Sequence, residues 1–433
     1  NYLFPMIFMR LLTSLKTHEG FKKYLVNTGW MFLGHSTSII SIFINIWIAR
    51  SFGPSNYGYF SYIFAYVGIF SFIANLGVND ILIRELVDKP EQKNKLLGTA
   101  FRILSYGGIF AFLASSISVF FLETNPLIRA LIILYSSIFI WSPINVVVAY
   151  FQATIQAKKN AQAQIVGMIL TSLLKVFLLL TNQGIIWLTL AFVLDYVITS
   201  ILYLMNYIHS GLKFQGWEYD RQVAKKLLRS SVFLMLSAAA SYVLLKIDQV
   251  MIKFFLDETA VGLYSVAVKL SEIWYFIPAI TCASLFPAII NSKKNNPVQY
   301  RNRLYKLYMF LGLSGFLIAI PITILAPQII TILFGSAYIE SVNILKIYVW
   351  SGIGLFIMTG INRYFMAENQ LKSIFIYSLI SVIMNIVLNL ILIPRIGLLG
   401  AAWATLVSYL ISPIIVSIIE LIKRASRISK KTQ

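Results

Sequence analysis

Apolar residues fall in long runs separated by short polar stretches, and the length of each run fixes the element. About 20 consecutive apolar residues are needed for a helix to cross a hydrocarbon layer roughly 30 Å thick. On that criterion the chain predicts twelve spans, near residues 26–49, 58–78, 99–121, 127–151, 162–181, 185–207, 231–255, 262–287, 304–326, 341–366, 372–393 and 399–423. An even number of spans puts both termini on one side. Lys and Arg are concentrated there, with 24 near the spans on the terminal side and 4 on the other, so their preference for cytoplasmic loops predicts that both termini are cytoplasmic. Every loop on the opposite side is short, which leaves no room for an external domain.

The spans divide into a cytoplasmic amphipathic segment at 1–25, a six-helix lobe at 26–208, a cytoplasmic linker at 209–229, a second six-helix lobe at 230–423 and a basic cytoplasmic tail at 424–433. Weak internal matches support this division. Asn56–Ser61 pairs with Ala260–Ser265, Gln152–Ala157 with Asn362–Ala367, and Gly184 and Tyr196 with Gly397 and Tyr409, in one order and with slowly growing offsets. Six spans duplicated once give parallel repeats about an axis along the membrane normal, an arrangement that places a transported substrate between the halves near the midplane. Within the linker, Val223–Leu228 predicts a short surface helix. Pro143, Pro278 and Pro321 lie inside spans, where the missing backbone donor permits a bend.

Composition agrees with a polytopic all-α membrane protein, since 58% of residues are hydrophobic and only 12% charged, against about 25% charged in soluble domains. The net charge of +20 is dispersed over short loops and does not cluster on one soluble face, so it reads as topology signal and attraction to anionic headgroups, and nucleic acid is not an expected partner. A single cysteine, Cys282, excludes an intrachain disulfide and a cysteine-based metal site. No phosphate loop or hydrolase motif is found, so the sequence predicts neither an enzyme nor a cofactor.

The informative exceptions to the apolar pattern are charges within spans, which are costly in lipid and therefore face a bundle interior or a watery cavity. Lys246 and Asp248 lie on one run and Lys269 and Glu272 on the next, joined by a short turn at Leu256–Val261. Lys269 and Glu272, three apart, share a helix face; the hairpin could hold one pair internally and still offer a charge to a central space. Lys175 and Asp195 fall at compatible depths on adjacent spans and predict an ion pair within that hairpin, with a lumen role for Lys175 as the alternative. Arg363 lies near the cytoplasmic end of its span, where it either meets a pyrophosphate on entry or snorkels to the headgroups. Asp80 and Arg84 close the second span as a gate pair or as an ordinary helix-end ion pair. Asn45, Asn385 and Asn389 are amides in apolar surroundings, usual in hydrogen bonding between helices. His35, the only histidine well inside a span, is a satisfied packing residue or, because histidine side chains can change charge near neutral pH, a proton-coupling one.

Three stretches resemble the Wzx-type polysaccharide and O-antigen flippases of the multidrug/oligosaccharidyl-lipid/polysaccharide exporter (MOP) superfamily. They are Asn27–Trp30 with Ala49–Gly58, Leu76–Asp80 and Ile83–Glu85; Lys246–Asp248 with Val261–Ser265 and Phe286–Pro287; and Asn385–Asn389 with Ile393–Pro394 and Gly397–Ala402. The resemblance implies two six-helix lobes around a central cavity. It also implies movement of undecaprenyl-pyrophosphate-linked oligosaccharide across a bacterial inner membrane, with a polymerase and a chain-length regulator as further partners. Under this reading Lys246, Lys269, Arg363, Lys175 and Asn45 are candidates for the lumen, and Asp248, Glu272 and His35 for ion coupling. Two alternatives are a multidrug or cation antiporter of the same superfamily, whose cationic substrates favour an acidic lumen, and a polytopic polymerase or ligase, which would carry a long external loop.

Overall fold

The computed structural model describes residues 19–368 and 370–429, which are helical with short connections and, among the described residues, contain no strand. Residues 1–18 of the expected amphipathic segment and the last four of the basic tail lie outside the described residues. Among the described residues, eleven helical segments are long and apolar enough to cross a membrane. The first of these segments, Ile40–Asp88, holds the end of the first expected span and all of the second. α1 (Glu19–Asn75), which supplies most of that segment, bends at Gly53, whose φ of 70° and ψ of 173° are not helical. Glycine adopts positive φ without strain, and Pro54 behind it has no N–H to leave unpaired as the helix restarts.

Among the described residues the chain forms two compact units: residues 19–44, 73–114 and 133–231, and residues 45–72, 115–132, 232–368 and 370–429. The first contains α2 (Val78–Asp88), most of α3 (Lys93–Leu122), α5 (Asn145–Ala153), α6 (Ala157–Leu180) and α7 (Ile185–His209). Its expected 127–151 span is not one helix: α4 (Pro126–Ser136) passes through a 3-10 stretch at Ser137–Ile144 into α5, and Pro143 lies in that stretch. The linker also departs from expectation. Val223–Leu228 is not a separate surface helix but the opening turns of α8 (Arg221–Phe255). The Asp220 carboxylate accepts from the N–H groups of Gln222 at 2.8 Å and Val223 at 3.1 Å, capping the helix start, and neither Pro nor Gly interrupts the chain before Phe255.

In the second unit, α9 (Glu258–Glu272) and α10 (Phe276–Asn295) form the expected eighth span, with a 3-10 turn between them at Ile273–Tyr275. They are followed by α11 (Pro297–Leu333), α12 (Ser341–Tyr348), α13 (Ser351–Ala367), α14 (Leu371–Ile396) and α15 (Leu398–Ser429). α11 shows how such helices are patterned. Leu304, Leu307, Leu311, Gly315, Ala319, Ile322 and Ala326 are buried along one face, while Leu313, Leu317, Ile320 and Ile324 on the other are apolar yet exposed. A soluble helix would be polar there; an apolar outer face is matched to lipid. α13 packs against α11 and α15, α14 against α15, and α9 against α12.

Candidate functional site

The fold-back of α8 onto α9 in the second unit gathers three of the four hairpin charges differently from their spacing along the sequence. Glu272 pairs with Lys246 across the hairpin, Oε1 to Nζ at 3.3 Å, and not with its helix neighbour Lys269. Lys269 is exposed although Ala260–Val268, Leu270 and Ser271 around it are all buried. None of the ion pairs among the described residues includes it. The hairpin therefore neutralises one lysine and presents the other.

Asp248, two residues from Lys246, points into a separate cluster. Its carboxylate is 3% exposed and accepts from Tyr264 Oη at 2.6 Å, from Asn389 Nδ2 at 2.7 Å and from the Thr405 hydroxyl. Asn389 also donates to Asn385 Oδ1 at 3.1 Å. All these partners are neutral, and no ion pair among the described residues involves Asp248. The Asn389 Oδ1 oxygen is buried without a donor. An acid held by hydroxyls and amides retains acceptor capacity for one more positive centre, a proton or a small hard cation, because oxygen donors suit both.

In the first unit the expected Lys175–Asp195 pair is present at 2.7 Å. Thr171 Oγ1 donates to the other carboxylate oxygen at 2.9 Å, and the Lys175 ammonium lies 3.9 Å from the centre of the Phe192 ring. Lys175 itself is 4% exposed, so its charge is spent inside the hairpin. Asp80 and Arg84 are not brought together: both are exposed, and Arg84 lies 3.7 Å from Glu85 instead. Glu85 is buried and also paired with Lys226 at the start of α8. Asn45 and Arg363 are half-buried. His35 falls on α1, but its side chain lies outside the described residues.

Sequence reasoning missed the Asp248 cluster and the Glu85–Lys226 pair. Asn385 and Asn389, four apart on one helix face, carried a signal for the first; Thr405, 157 residues from Asp248, carried none.

A sequence profile described as "Polysaccharide biosynthesis protein" matches residues 47–343, more than half of the chain. The chain belongs to this family. Two curated proteins of Haloferax volcanii are similar over part of their length. One is described as "Probable low-salt glycan biosynthesis flippase", 27% identical over 197 residues, 44% of this chain and 41% of that protein. The other is described as "Probable flippase", 24% identical over 181 residues, 39% of this chain and 36% of that protein. The chain thus spans about two fifths of the length of each relative it matches. Among solved structures, an inward-facing MATE family transporter of the MOP superfamily superposes with a TM-score of 0.72 at 14% identity, covering 94% of this chain and all of that one. The lipid II flippase MurJ, inward closed, gives 0.67 at 17% identity, covering 89% of this chain and 86% of that one. At these identities the likeness is one of fold. This polysaccharide biosynthesis family member has the polytopic MOP fold.

Proposed function

We propose that the protein is a flippase moving undecaprenyl-pyrophosphate-linked oligosaccharide repeat units across a bacterial inner membrane by alternating access, with both termini cytoplasmic. The family and the flippase relatives support a lipid-linked glycan as substrate. The observation that carries the reading is Lys269: an exposed cation that none of the ion pairs among the described residues includes, on a helix otherwise buried around it. A sugar hydroxyl moved into hydrocarbon without a partner costs about 4 to 8 kcal/mol on an alkane scale, and a pyrophosphate adds anionic charge. A polar path with one cation outside those ion pairs lowers both barriers. Lys246, tied to Glu272, sets the position of that cation, and Arg363 supplies a second, half-buried positive group for the anionic headgroup. Lys175 and Asn45 have supporting roles, Lys175 by bracing the α6–α7 hairpin. Asp248 is the coupling residue, where proton or sodium occupancy changes the charge between α8, α14 and α15. Polymerase and chain-length regulator are the partners expected downstream.

The test is made in a cell dependent on this protein for surface polysaccharide. Lys269→Ala is expected to cut polysaccharide at least about tenfold, the effect of losing one charged contact, with Lys246→Ala and Arg363→Ala reducing it less. Protein in the membrane should be unchanged in all three. Normal polysaccharide in all three variants would remove the site assignment.

A further inference from the structure

Gly58 on α1 and Gly262 on α9 occupy equivalent places in the two stretches, Asn56–Ser61 and Ala260–Ser265, that match at an offset of 204 residues. Both belong to the second unit, and they touch. A Cβ on Gly58 would overlap the carbonyl of Glu258 and lie 3.0 Å from the nitrogen of Gly262. A Cβ on Gly262 would overlap the carbonyl of Pro54 and lie 3.1 Å from the nitrogen of Gly58. Glu258 precedes Gly262 by four residues, and Pro54 precedes Gly58 by four. Each glycine therefore lies against residue i−4 of the other helix, and exchanging the two helices reproduces the contact. A self-complementary contact between equivalent residues is what a two-fold axis generates.

Other groups fasten the same end of the unit. Tyr338 Oη donates to the Ala49 carbonyl at 2.7 Å, and Arg50 Nη1 to the Ile332 carbonyl at 3.2 Å. The Tyr57 and Tyr338 rings meet edge-on at 6.4 Å. Lys253 reaches from α8 over the Tyr59 ring at 5.2 Å while pairing with Glu258 at 2.9 Å.

We infer that the pseudo-two-fold axis of the duplication passes between Gly58 and Gly262, and that this crossing is a latch that parts when the transporter opens at the end bearing Gly53 and Asp257. The latch suits repeated release because it is made of backbone against backbone. In lipid there is no hydrophobic drive to hold helices together, and small residues instead give van der Waals and Cα–H···O contacts that are individually weak. Knobs packed into holes would hold the crossing shut more firmly; glycines let it close tightly and separate without repacking side chains. The requirement that this end open rests on the transport reading, whereas the symmetric contact does not.

The test uses accessibility, so that it does not depend on transport. Cys282 is replaced by Ala, and a reporter cysteine is placed at Ser61, which lies on α1 close behind Gly58 and is 8% exposed. The full-length protein in liposomes is labelled with a membrane-impermeant maleimide. Slow labelling is expected with both glycines present. Gly58→Ala and Gly262→Ala should each raise the rate by about tenfold, to similar extents. The double variant should add little to either, because contacting positions are not additive. Tyr338→Phe, which removes the bond to Ala49 without adding an atom, should raise the rate by a smaller factor and decides the matter if a glycine variant fails to fold. Unchanged labelling in Tyr338→Phe and in every folded glycine variant overturns the latch, as does a double variant whose effect is the product of the singles. Faster labelling in a protein that moves no glycan would support the latch and count against the transport reading alone.

Discussion

At the scale of single residues, charge inside the spans sorts into groups whose charge is satisfied and groups that remain available. Lys175 is the clearest of the satisfied ones. Removing one partner of a buried pair leaves the other charge stranded, at a cost of 3–5 kcal/mol when both are fully buried. Asp195 keeps 32% of its side-chain surface, so Lys175→Ala is expected to cost about 3 kcal/mol, the low end of that range. A thermal-unfolding measurement in detergent should show the loss, and Lys175→Met with Asp195→Leu should recover most of it. Asp248 behaves in the opposite way. Its partners are all neutral, so Asp248→Asn keeps the shape of the cluster and removes only the charge. Stability should change little, while any dependence of transport on a proton or sodium gradient should disappear. A variant that remains gradient-dependent would exclude Asp248 as the coupling group. The Lys175–Asp195 pair was legible in the sequence because depth along adjacent spans is a matter of counting. Partner choice at Glu272 was not, because helical spacing favours Lys269 and only the fold-back at Leu256–Asp257 brings Lys246 nearer.

At the scale of elements, run length revealed the helices, but breakers revealed only some of their bends, and Pro321 lies inside α11 without interrupting it. Pro143 marked the 3-10 stretch in the fourth span, and Gly53–Pro54 separates the two expected spans contained in the first long helix. What the pattern did not reveal was the extension of α8 back through Val223–Leu228, because a polar, basic stretch reads as linker until its cap is recognised. That cap is open to test. Hydrogen bonds from the Val223 and Gln222 amides, aided by Lys95 at 4.0 Å, hold the Asp220 carboxyl below the usual carboxylate range. A depressed folded-state pKa stabilises the helix start above the ordinary carboxylate pKa, and that contribution is lost as pH falls through the lowered value. Amide exchange at Gln222 and Val223, corrected for intrinsic rates, should therefore accelerate on acidification. In Asp220→Asn, which keeps an acceptor but cannot titrate, this acceleration should vanish. The linker is further tied to the first unit by the Asp220 N–H to Thr99 Oγ1 at 2.9 Å and by Trp217 Nε1 to Tyr207 Oη at 3.1 Å, so a local loosening should stay local.

At the scale of the whole molecule, the apolar runs, the repeated glycine motif and the charges within spans point the same way as the family match and the fold. The MOP fold accommodates more than one kind of cargo, so the fold alone does not choose between a lipid-linked glycan and a drug cation. In the proposed reading the choice rests on Lys269, an exposed cation that an anionic headgroup would seek and a cationic drug would avoid. In the proposed reading, the neutral partners around Asp248 leave it able to take an ion without adding a negative surface to the path. The sequence-level count of charges came close to this balance, but which lysine is left over became evident only when Lys246 was seen to close on Glu272.

The measurement that bears most directly on this account is transbilayer movement of an undecaprenyl-pyrophosphate-linked oligosaccharide in liposomes containing the purified protein, with and without a proton or sodium gradient. The account predicts movement well above protein-free vesicles, loss of most of it in Lys269→Ala, and no movement of cationic drugs. A matched substrate that stays in its leaflet under every gradient, while the protein exports a cation, would contradict it.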